Sequence, residues 1–102
     1  MVSCYDVFLE GKFILCNSFE EFHKVCLYLG SKGFKWVKGM SDECELITES
    51  SLSIYKGFEY PISVKNFHGE VCWSDMLKVA GETWFRGSKE VKVVQFNELS
   101  FD

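Results

Sequence analysis

The sequence has no apolar run long enough to span a membrane. Its first residues, Met1 to Asp6, lack the basic region and apolar stretch of a signal peptide. The five cysteines are widely spaced and form no Cys-x-x-Cys pair (Cys4, Cys16, Cys26, Cys44 and Cys72). This spacing does not support a zinc site or a redox pair, so we expect reduced thiols that pack like small apolar side chains. We therefore expect a cytoplasmic protein in a reducing compartment.

Positive charge is also scarce. Lys and Arg number 11 against 15 Asp and Glu, which gives a formal net charge of −4 and a pI near 5.2. Nucleic-acid binding requires a basic surface that displaces counterions, so we expect no nucleic-acid partner. Glycine-rich phosphate-binding motifs are absent, and no pair of carboxylates is marked by an apolar setting. We therefore expect neither enzyme activity nor a cofactor.

The chain is rich in aromatic residues, with ten Phe, four Tyr and three Trp among 102 residues. Its hydrophobic fraction of 47% and charged fraction of 25% are ordinary for a globular protein. The length suits a single domain over residues 1–102. Aromatic side chains dominate both cores and binding hot spots, so we expect most of them in the core and a few at a surface patch.

The first part of the chain predicts a hairpin followed by a helix. Strand-like runs cover residues 3–9 and 13–16, with a turn over 10–12. Ser18 and Glu21 have the spacing of a capping box at the start of a helix over about 18–30. Gly30 and Gly33 are the expected stop signals. Apolar residues recur at helical spacing inside this helix (Phe19, Phe22, Val25, Cys26 and Leu29).

The rest of the chain predicts mostly strands. Short strands are expected at 34–37, 52–55 and 90–96, together with a hairpin of 62–65 and 70–73. Ser74 and Asp75 have the chemistry to cap a short helix over about 74–80 that ends at Gly81. The whole pattern predicts an α+β fold: an antiparallel or mixed sheet of about five strands with the main helix packed on one face.

Two segments share the pattern Gly-x-x-Trp-apolar-basic-Gly, at residues 33–39 and 81–87. Each follows a candidate helix capped by a serine, so a strand–helix–strand unit used twice is one explanation. Coincidence is the other, because the chain contains three Trp and eight Gly.

Arg86 is the only arginine, and it lies beside Trp84 and Phe85. A guanidinium next to aromatic faces can stack on a planar ligand or clamp a phosphate or carboxylate, although its stem can equally cover an aromatic side chain. Trp36 and Lys38 occupy the matching positions of the first segment. If the two segments are a true repeat, Trp36 and Lys38 form a second cation–aromatic site that matches Trp84, Phe85 and Arg86. Such a pair of candidate binding sites suits an anionic nucleotide-like ligand or an acidic patch on a partner protein.

A second candidate surface is the stretch 40–51, which contains no compensating lysine (acidic residues Asp42, Glu43, Glu45 and Glu49). It is either a solvated loop or short helix, or a loop that contacts a partner.

The sequence gives little indication of a metal-binding or catalytic histidine. His23 and Cys26 have a spacing that two metal ligands can use, but no further ligand joins them, so we expect a packed histidine and no metal site. A hydrolase that uses His68 and Ser74 is a third alternative, although Ser74 lacks a nucleophile motif.

The stretch from Ser18 to Gly39, a capped helix that runs into Gly-Phe-Lys-Trp-Val-Lys-Gly, resembles a pattern in small accessory proteins of tailed bacteriophages. The strand Tyr60-Pro61-Ile62-Ser63-Val64 is similar to a later segment of such proteins. The resemblance covers about half of the chain, and its motif has low specificity. It implies no activity, but it implies a phage or mobile-element product that acts on a host.

Two functions follow from these observations. The leading hypothesis is a non-enzymatic interaction protein that docks an aromatic-rich face with an acidic rim onto a host protein, for example a defence protein, and inhibits it. The alternative is a small-ligand binder that sequesters a nucleotide-type signal through Trp36, Lys38, Trp84 and Arg86. A homodimer is compatible with either hypothesis.

Overall fold

The computed structural model describes residues 1–38, 45–74 and 77–102, without the side chains of Lys38, Glu45 and Ser74. The helices in this part of the chain are α1 (Cys4–Leu9), α2 (Phe19–Ser31) and two 3₁₀ segments, Glu49–Gly57 and Phe96–Glu98. None of the described helices is both long and apolar enough to cross a bilayer. The strands are β1 (Val2–Ser3), β2 (Phe13–Cys16), β3 (Trp36–Lys38), β4 (Glu45–Ile47), β5 (Ile62–Phe67), β6 (Glu70–Ser74), β7 (Leu77–Ala80), β8 (Thr83–Arg86), β9 (Lys89–Val91), β10 (Val93–Gln95) and β11 (Leu99–Ser100).

The strands form three sheets. The largest has six strands in the order β10-β2-β5-β6-β3-β4 and is mixed, because the β2–β10 and β3–β6 pairs are parallel and the others antiparallel. Strands β7, β8 and β9 form an antiparallel three-stranded sheet. Strand β1 pairs with β11, which joins the two ends of the chain. The expected α+β fold with a mixed sheet is confirmed, and the separate small sheet was not expected.

One face of the six-stranded sheet carries the helices. Ile14 on β2 and Val64 on β5 are directly paired, and both belong to the main buried apolar cluster. The inner stripe of α2 joins the same cluster (Phe22, Val25, Cys26 and Leu29). The expected packing of the main helix on one face of the sheet is therefore confirmed.

The three-stranded sheet lies on the opposite face. Side chains alternate along a strand, so Phe13 on β2 and Lys65 on β5 point away from the helices. These two side chains line a cleft together with Arg86, Lys89 and Val91 of β8 and β9. The large sheet is therefore covered on both sides.

The main helix begins as the sequence predicts but ends later. Ser18 Oγ accepts a hydrogen bond from the Glu21 amide at 3.3 Å, and the Glu21 carboxylate accepts one from the Asn17 amide at 3.0 Å. In a capping box this carboxylate would accept from the Ser18 amide, so the observed contact lies one residue earlier in the chain. The helix continues through Gly30 to Ser31 and stops before Gly33, whose φ is +96°. Gly30 is thus not a stop signal.

The predicted strand over residues 3–9 is wrong. These residues form α1, with Ser3 as its N-cap, whose Oγ accepts from the Asp6 amide at 3.4 Å. The buried residues are Cys4, Val7 and Phe8, which follow the i, i+3, i+4 spacing of a helix. These buried residues form one apolar face of α1, which packs toward the core. The segment also alternates weakly between apolar and polar residues, and this alternation favoured the wrong prediction of a strand.

Two further predictions are also wrong. Residues 52–55 belong to a 3₁₀ helix, in which Leu52 and Tyr55 are buried at i and i+3. The expected helix over 74–80 is absent: Leu77–Ala80 is strand β7, paired with β8 across a tight turn at Gly81, whose φ is +65°. Ser74 ends β6, and Asp75 lies outside the described residues.

The second hairpin is confirmed. Strands β5 and β6 pair over their length and turn at His68 and Gly69, both with positive φ, of 52° and 84°. Asn66 Oδ1 accepts from the Gly69 amide at 2.7 Å and closes this turn. The expected last strand over 90–96 is split at Lys92, because β9 joins the small sheet and β10 the large one.

Candidate functional site

Trp36 is held in the fold by two contacts with α2. Its Nε1 donates a hydrogen bond to the Cys26 carbonyl oxygen at 2.7 Å. Its ring lies so close to Gly30 that a Cβ at that glycine would be 2.7 Å from the ring atom Cζ2. The side chain is half-buried, so its position is set by the fold while part of its surface stays accessible.

The exposed part of Trp36 lines a groove of about 460 Å³ between α2 and strands β3 and β4. We call it the edge groove. Its walls are predominantly apolar, and the residues used below are Leu27, Phe34, Trp36, Leu46, Ile47 and Glu49. Leu46 is 59% exposed and Leu27 is 36% exposed, so the groove leaves apolar surface in contact with water.

Strand β4 borders this groove and is the last strand of the six-stranded sheet. Among the residues that the structure describes, no strand pairs with its outer side. An unpaired strand edge presents free amide and carbonyl groups that template another strand. The edge groove therefore combines apolar side-chain surface with backbone hydrogen-bonding groups.

The acidic residues predicted as a partner contact lie partly at this groove. Glu49 lines it at the start of the 3₁₀ helix, and Glu45 lies on β4, paired with Lys38 on β3. Asp42 and Glu43 precede β4 in the chain and lie outside the described residues. Trp36 and Glu49 are thus brought together, although they were predicted as members of different surfaces.

Arg86 lies elsewhere, in the cleft between the two sheets. Lys65, Arg86 and Lys89 line this cleft with Phe13 and Val91, and its volume is about 190 Å³. We call it the cation cleft. Arg86 and Lys89 are directly opposite each other on β8 and β9, and Lys65 Nζ lies 5.1 Å from the centroid of the Phe13 ring.

The cations of this cleft have no acidic partner in the part of the chain that is described. The ion pairs among the described residues join Lys12 to Glu10 and Lys92 to Glu90, and neither pair involves a residue of the cleft. The pKa of Lys65 is lowered, first by burial and then by the positive charges of Arg86 and Lys89, although the Cys72 thiol opposes the shift. Three like charges therefore converge in a protein whose net charge is negative.

The structure does not bring the five candidate binding residues together on one surface. Trp84 shares a face of β8 with Arg86 and is paired with Val91, so it points toward the large sheet. Phe85 points to the other face of β8. Trp36 lies on the helix-bearing side of the large sheet, in the edge groove. Lys38 is on β3, and its side chain is not described.

The two segments that share the pattern Gly-x-x-Trp-apolar-basic-Gly lie in different structural settings. The first segment follows a helix and enters β3, which is parallel to β6. The second forms the turn and second arm of the antiparallel β7–β8 hairpin, and among the described residues strand β7, not a helix, directly precedes it. A strand–helix–strand unit is therefore not repeated.

Sequence reasoning missed Lys65 and Lys89 as neighbours of Arg86. The pairing of Lys89 with Arg86 could have been predicted from the sequence. Gly87 and Ser88 form a two-residue turn, and such a turn places its flanking residues opposite each other. The Lys65 contact carried no local signal, since it joins strands of two different sheets.

His23 and the four described cysteines pack against other side chains, whereas Cys44 lies outside the described residues. The ring of His23 stacks on Phe19, with centroids 5.3 Å apart. The thiols of Cys4, Cys16, Cys26 and Cys72 are buried, and burial raises the pKa of Cys4 to about 12 and that of Cys16 and Cys26 further still. The described residues contain no group of three His, Cys, Asp or Glu side chains that could hold a metal ion.

No protein-family model matches this chain, and no curated protein or solved structure matches it significantly. Function is therefore argued from the two surfaces themselves.

Proposed function

We propose that this protein is a non-enzymatic interaction protein that binds an extended segment of a partner protein in the edge groove. The observation that carries the proposal is the apolar groove beside the unpaired edge of β4. An extended peptide adds to such an edge through main-chain hydrogen bonds, while its alternate side chains enter the neighbouring pocket. The bound segment is thus a strand whose inward side chains are apolar.

The exposed apolar side chains supply the driving force. Leu46 and Leu27 contribute surface that a docked strand removes from water, at about 25 cal/mol per Å² of apolar area. Trp36 forms a rigid wall because its indole is hydrogen-bonded to α2. A rigid aromatic wall costs little conformational entropy when the partner binds, which is typical of binding hot spots.

Charge selects the partner segment. The stretch that leads into and out of β4 carries four acidic residues and no lysine (Asp42, Glu43, Glu45 and Glu49). We expect the bound segment to carry Lys or Arg beside its apolar residues, since complementary charge speeds association and rejects acidic competitors.

The resemblance of residues 18–39 to accessory proteins of tailed bacteriophages suggests where such a partner is found. We propose a phage or mobile-element product that works in the host cytosol and inhibits or modulates a host protein, with defence proteins as natural targets. The resemblance supports the setting of the proposal and not its chemistry.

Selection of a random displayed peptide library against the purified protein tests the proposal. We expect enriched peptides to alternate apolar residues with Lys or Arg, and we expect Leu46→Lys to weaken their binding about tenfold or more. Ile54→Lys is the matched control, because Ile54 is 55% exposed and lies outside the groove. Equal binding by both variants would refute the assignment.

A second copy of the chain is the main competing occupant. Sedimentation of the wild-type protein and of Leu46→Lys separates the two cases. A monomer in both supports a foreign partner, whereas a wild-type dimer that Leu46→Lys dissociates means that the groove is a homodimer interface, against the proposal.

A further inference from the structure

The cation cleft is chemically independent of the edge groove. It lies between the two sheets, on the side of the large sheet opposite the helices, and three of its lining residues are cations (Lys65, Arg86 and Lys89). No carboxylate of the described residues forms an ion pair with any of them. The surplus is local, since the whole chain has a net charge of −4.

The three cations of the cleft repel one another, and a bound anion would offset this repulsion. Like charges directly opposite on neighbouring strands repel, and Arg86 and Lys89 are such a pair. Lys65 adds a third charge from the other sheet, and its ammonium is partly withdrawn from water beside Phe13. A titratable group whose pKa is shifted by burial and by named charges in a cleft is a candidate for a functional site.

The size of the cleft limits the ligand. Pockets that enclose a drug-sized molecule have about 300–1,000 Å³, whereas the cation cleft has about 190 Å³. It therefore suits one compact anionic group rather than a whole nucleotide.

We infer that the cation cleft binds a phosphate group, carried either by inorganic phosphate or by the end of a nucleotide. Arg86 presents a planar fork that pairs with two phosphate oxygens, and Lys65 and Lys89 add point charges on the sides. Phe13 and Val91 form apolar walls that exclude water and strengthen these contacts. The site gives the chain a second binding activity.

Isothermal titration of the full chain with inorganic phosphate at constant ionic strength tests the site. We expect saturable binding that Arg86→Gln or Lys89→Gln weakens about tenfold or more. Lys78→Gln is the matched control, because Lys78 is paired with Phe85 and lies on the opposite face of the same small sheet, and it should change the affinity less than twofold. Leu46→Lys should also bind phosphate normally, which separates this site from the edge groove.

Titration with two ligands, inorganic phosphate and adenosine triphosphate, distinguishes the two possible sources of the phosphate group. Adenosine triphosphate that binds more than tenfold tighter than inorganic phosphate identifies a nucleotide as the ligand, while similar affinities identify free phosphate. Absence of saturable phosphate binding overturns the inference. So does an equal loss of affinity in Lys78→Gln and Arg86→Gln.

The Lys65 ammonium gives a readout that does not depend on heat. NMR titration of its side chain should give a pKa below the ordinary lysine value without phosphate and a higher pKa with phosphate bound, because the anion offsets the burial and the charges of Arg86 and Lys89. A Lys65 pKa that phosphate leaves unchanged contradicts a phosphate in this cleft. Melting curves confirm that Arg86→Gln and Lys89→Gln remain folded.

Discussion

At the scale of single residues, the aromatic surplus is divided between packing and accessible surface. Among the phenylalanines, Phe8, Phe13 and Phe22 are buried, while Phe58 remains 37% exposed. All three tryptophans are half-buried. Several partly exposed rings are covered by lysine side chains (Lys24 on Phe101, Lys32 on Tyr28 and Lys56 on Phe19). Composition therefore predicted accessible rings, but it did not tell which rings lysines cover and which line a groove.

Substitution of Gly30 tests how tightly the Trp36 ring packs against α2. Alanine in a helix interior is ordinarily favoured over glycine by about 1 kcal/mol, but a Cβ at this position would lie 2.7 Å from the indole. We expect Gly30→Ala to displace the ring, break its hydrogen bond to Cys26, and lower the free energy of unfolding by about 1–3 kcal/mol. Denaturant unfolding measures the change.

Gly57→Ala is the matched control for this substitution. A Cβ at Gly57 meets no atom within 4 Å, and its φ is not positive. We expect a neutral or slightly stabilising effect there. A Gly30→Ala protein as stable as Gly57→Ala would show that the contact between Trp36 and α2 is not tight.

At the scale of elements, the segments that carry their own signals were predicted correctly. Helix α2 has both a cap and a long apolar stripe, and the β5–β6 hairpin has a turn whose residues accept positive φ. The secondary structure of shorter segments could not be predicted from their own residues. A few apolar positions fit both the 3.6-residue period of a helix and the two-residue period of a strand. In α1 the core selects the helical face, and in β7 the pairing with β8 overrides Ser74 as a cap.

The cap of α2 yields a quantitative prediction. Ser18→Ala removes the hydroxyl that accepts from the Glu21 amide, and we expect a loss of about 1 kcal/mol in the free energy of unfolding. Ser88→Ala is the control, because Ser88 is exposed in the β8–β9 turn. Urea unfolding of both variants is the measurement, and equal midpoints would mean that the cap contributes nothing.

At the scale of the whole molecule, the two surfaces depend on contacts that no local pattern encodes. The edge groove needs β4 at the end of a sheet whose strands are far apart in sequence, and the cation cleft needs two sheets to meet. Trp36, Glu49 and Arg86 were predicted as candidates because their chemistry is conspicuous in the sequence. The sequence did not reveal that Trp36 and Glu49 line one groove while Arg86 lines another cleft, because that depends on the order of the strands.

The buried thiols make global stability depend on pH. Burial raises the pKa of Cys4 to about 12, and Cys16 and Cys26 are raised further, from an ordinary value of 9.0. In the unfolded chain these thiols ionise near the ordinary value, while in the folded chain they stay neutral. The unfolded state therefore binds fewer protons above about pH 9, and stability falls as the pH rises.

We expect the urea concentration at the unfolding midpoint to decrease as the pH rises from about 9 to about 12. We also expect the buried thiols to remain unlabelled by a thiol reagent near pH 8 until the protein unfolds. Cys26→Ala should reduce the steepness of the fall, whatever it costs in stability. A midpoint that is constant over this range would contradict the burial of these thiols.

The central claim is that a partner strand adds to the outer edge of β4. Backbone amide hydrogen exchange, with and without a peptide selected by the display experiment, measures it most directly. We expect slower exchange at β4 when the peptide binds, with no change at β10 on the other edge of the same sheet. Protection at β10, or a bound peptide that leaves the β4 amides unaffected, would show that the partner does not add to β4.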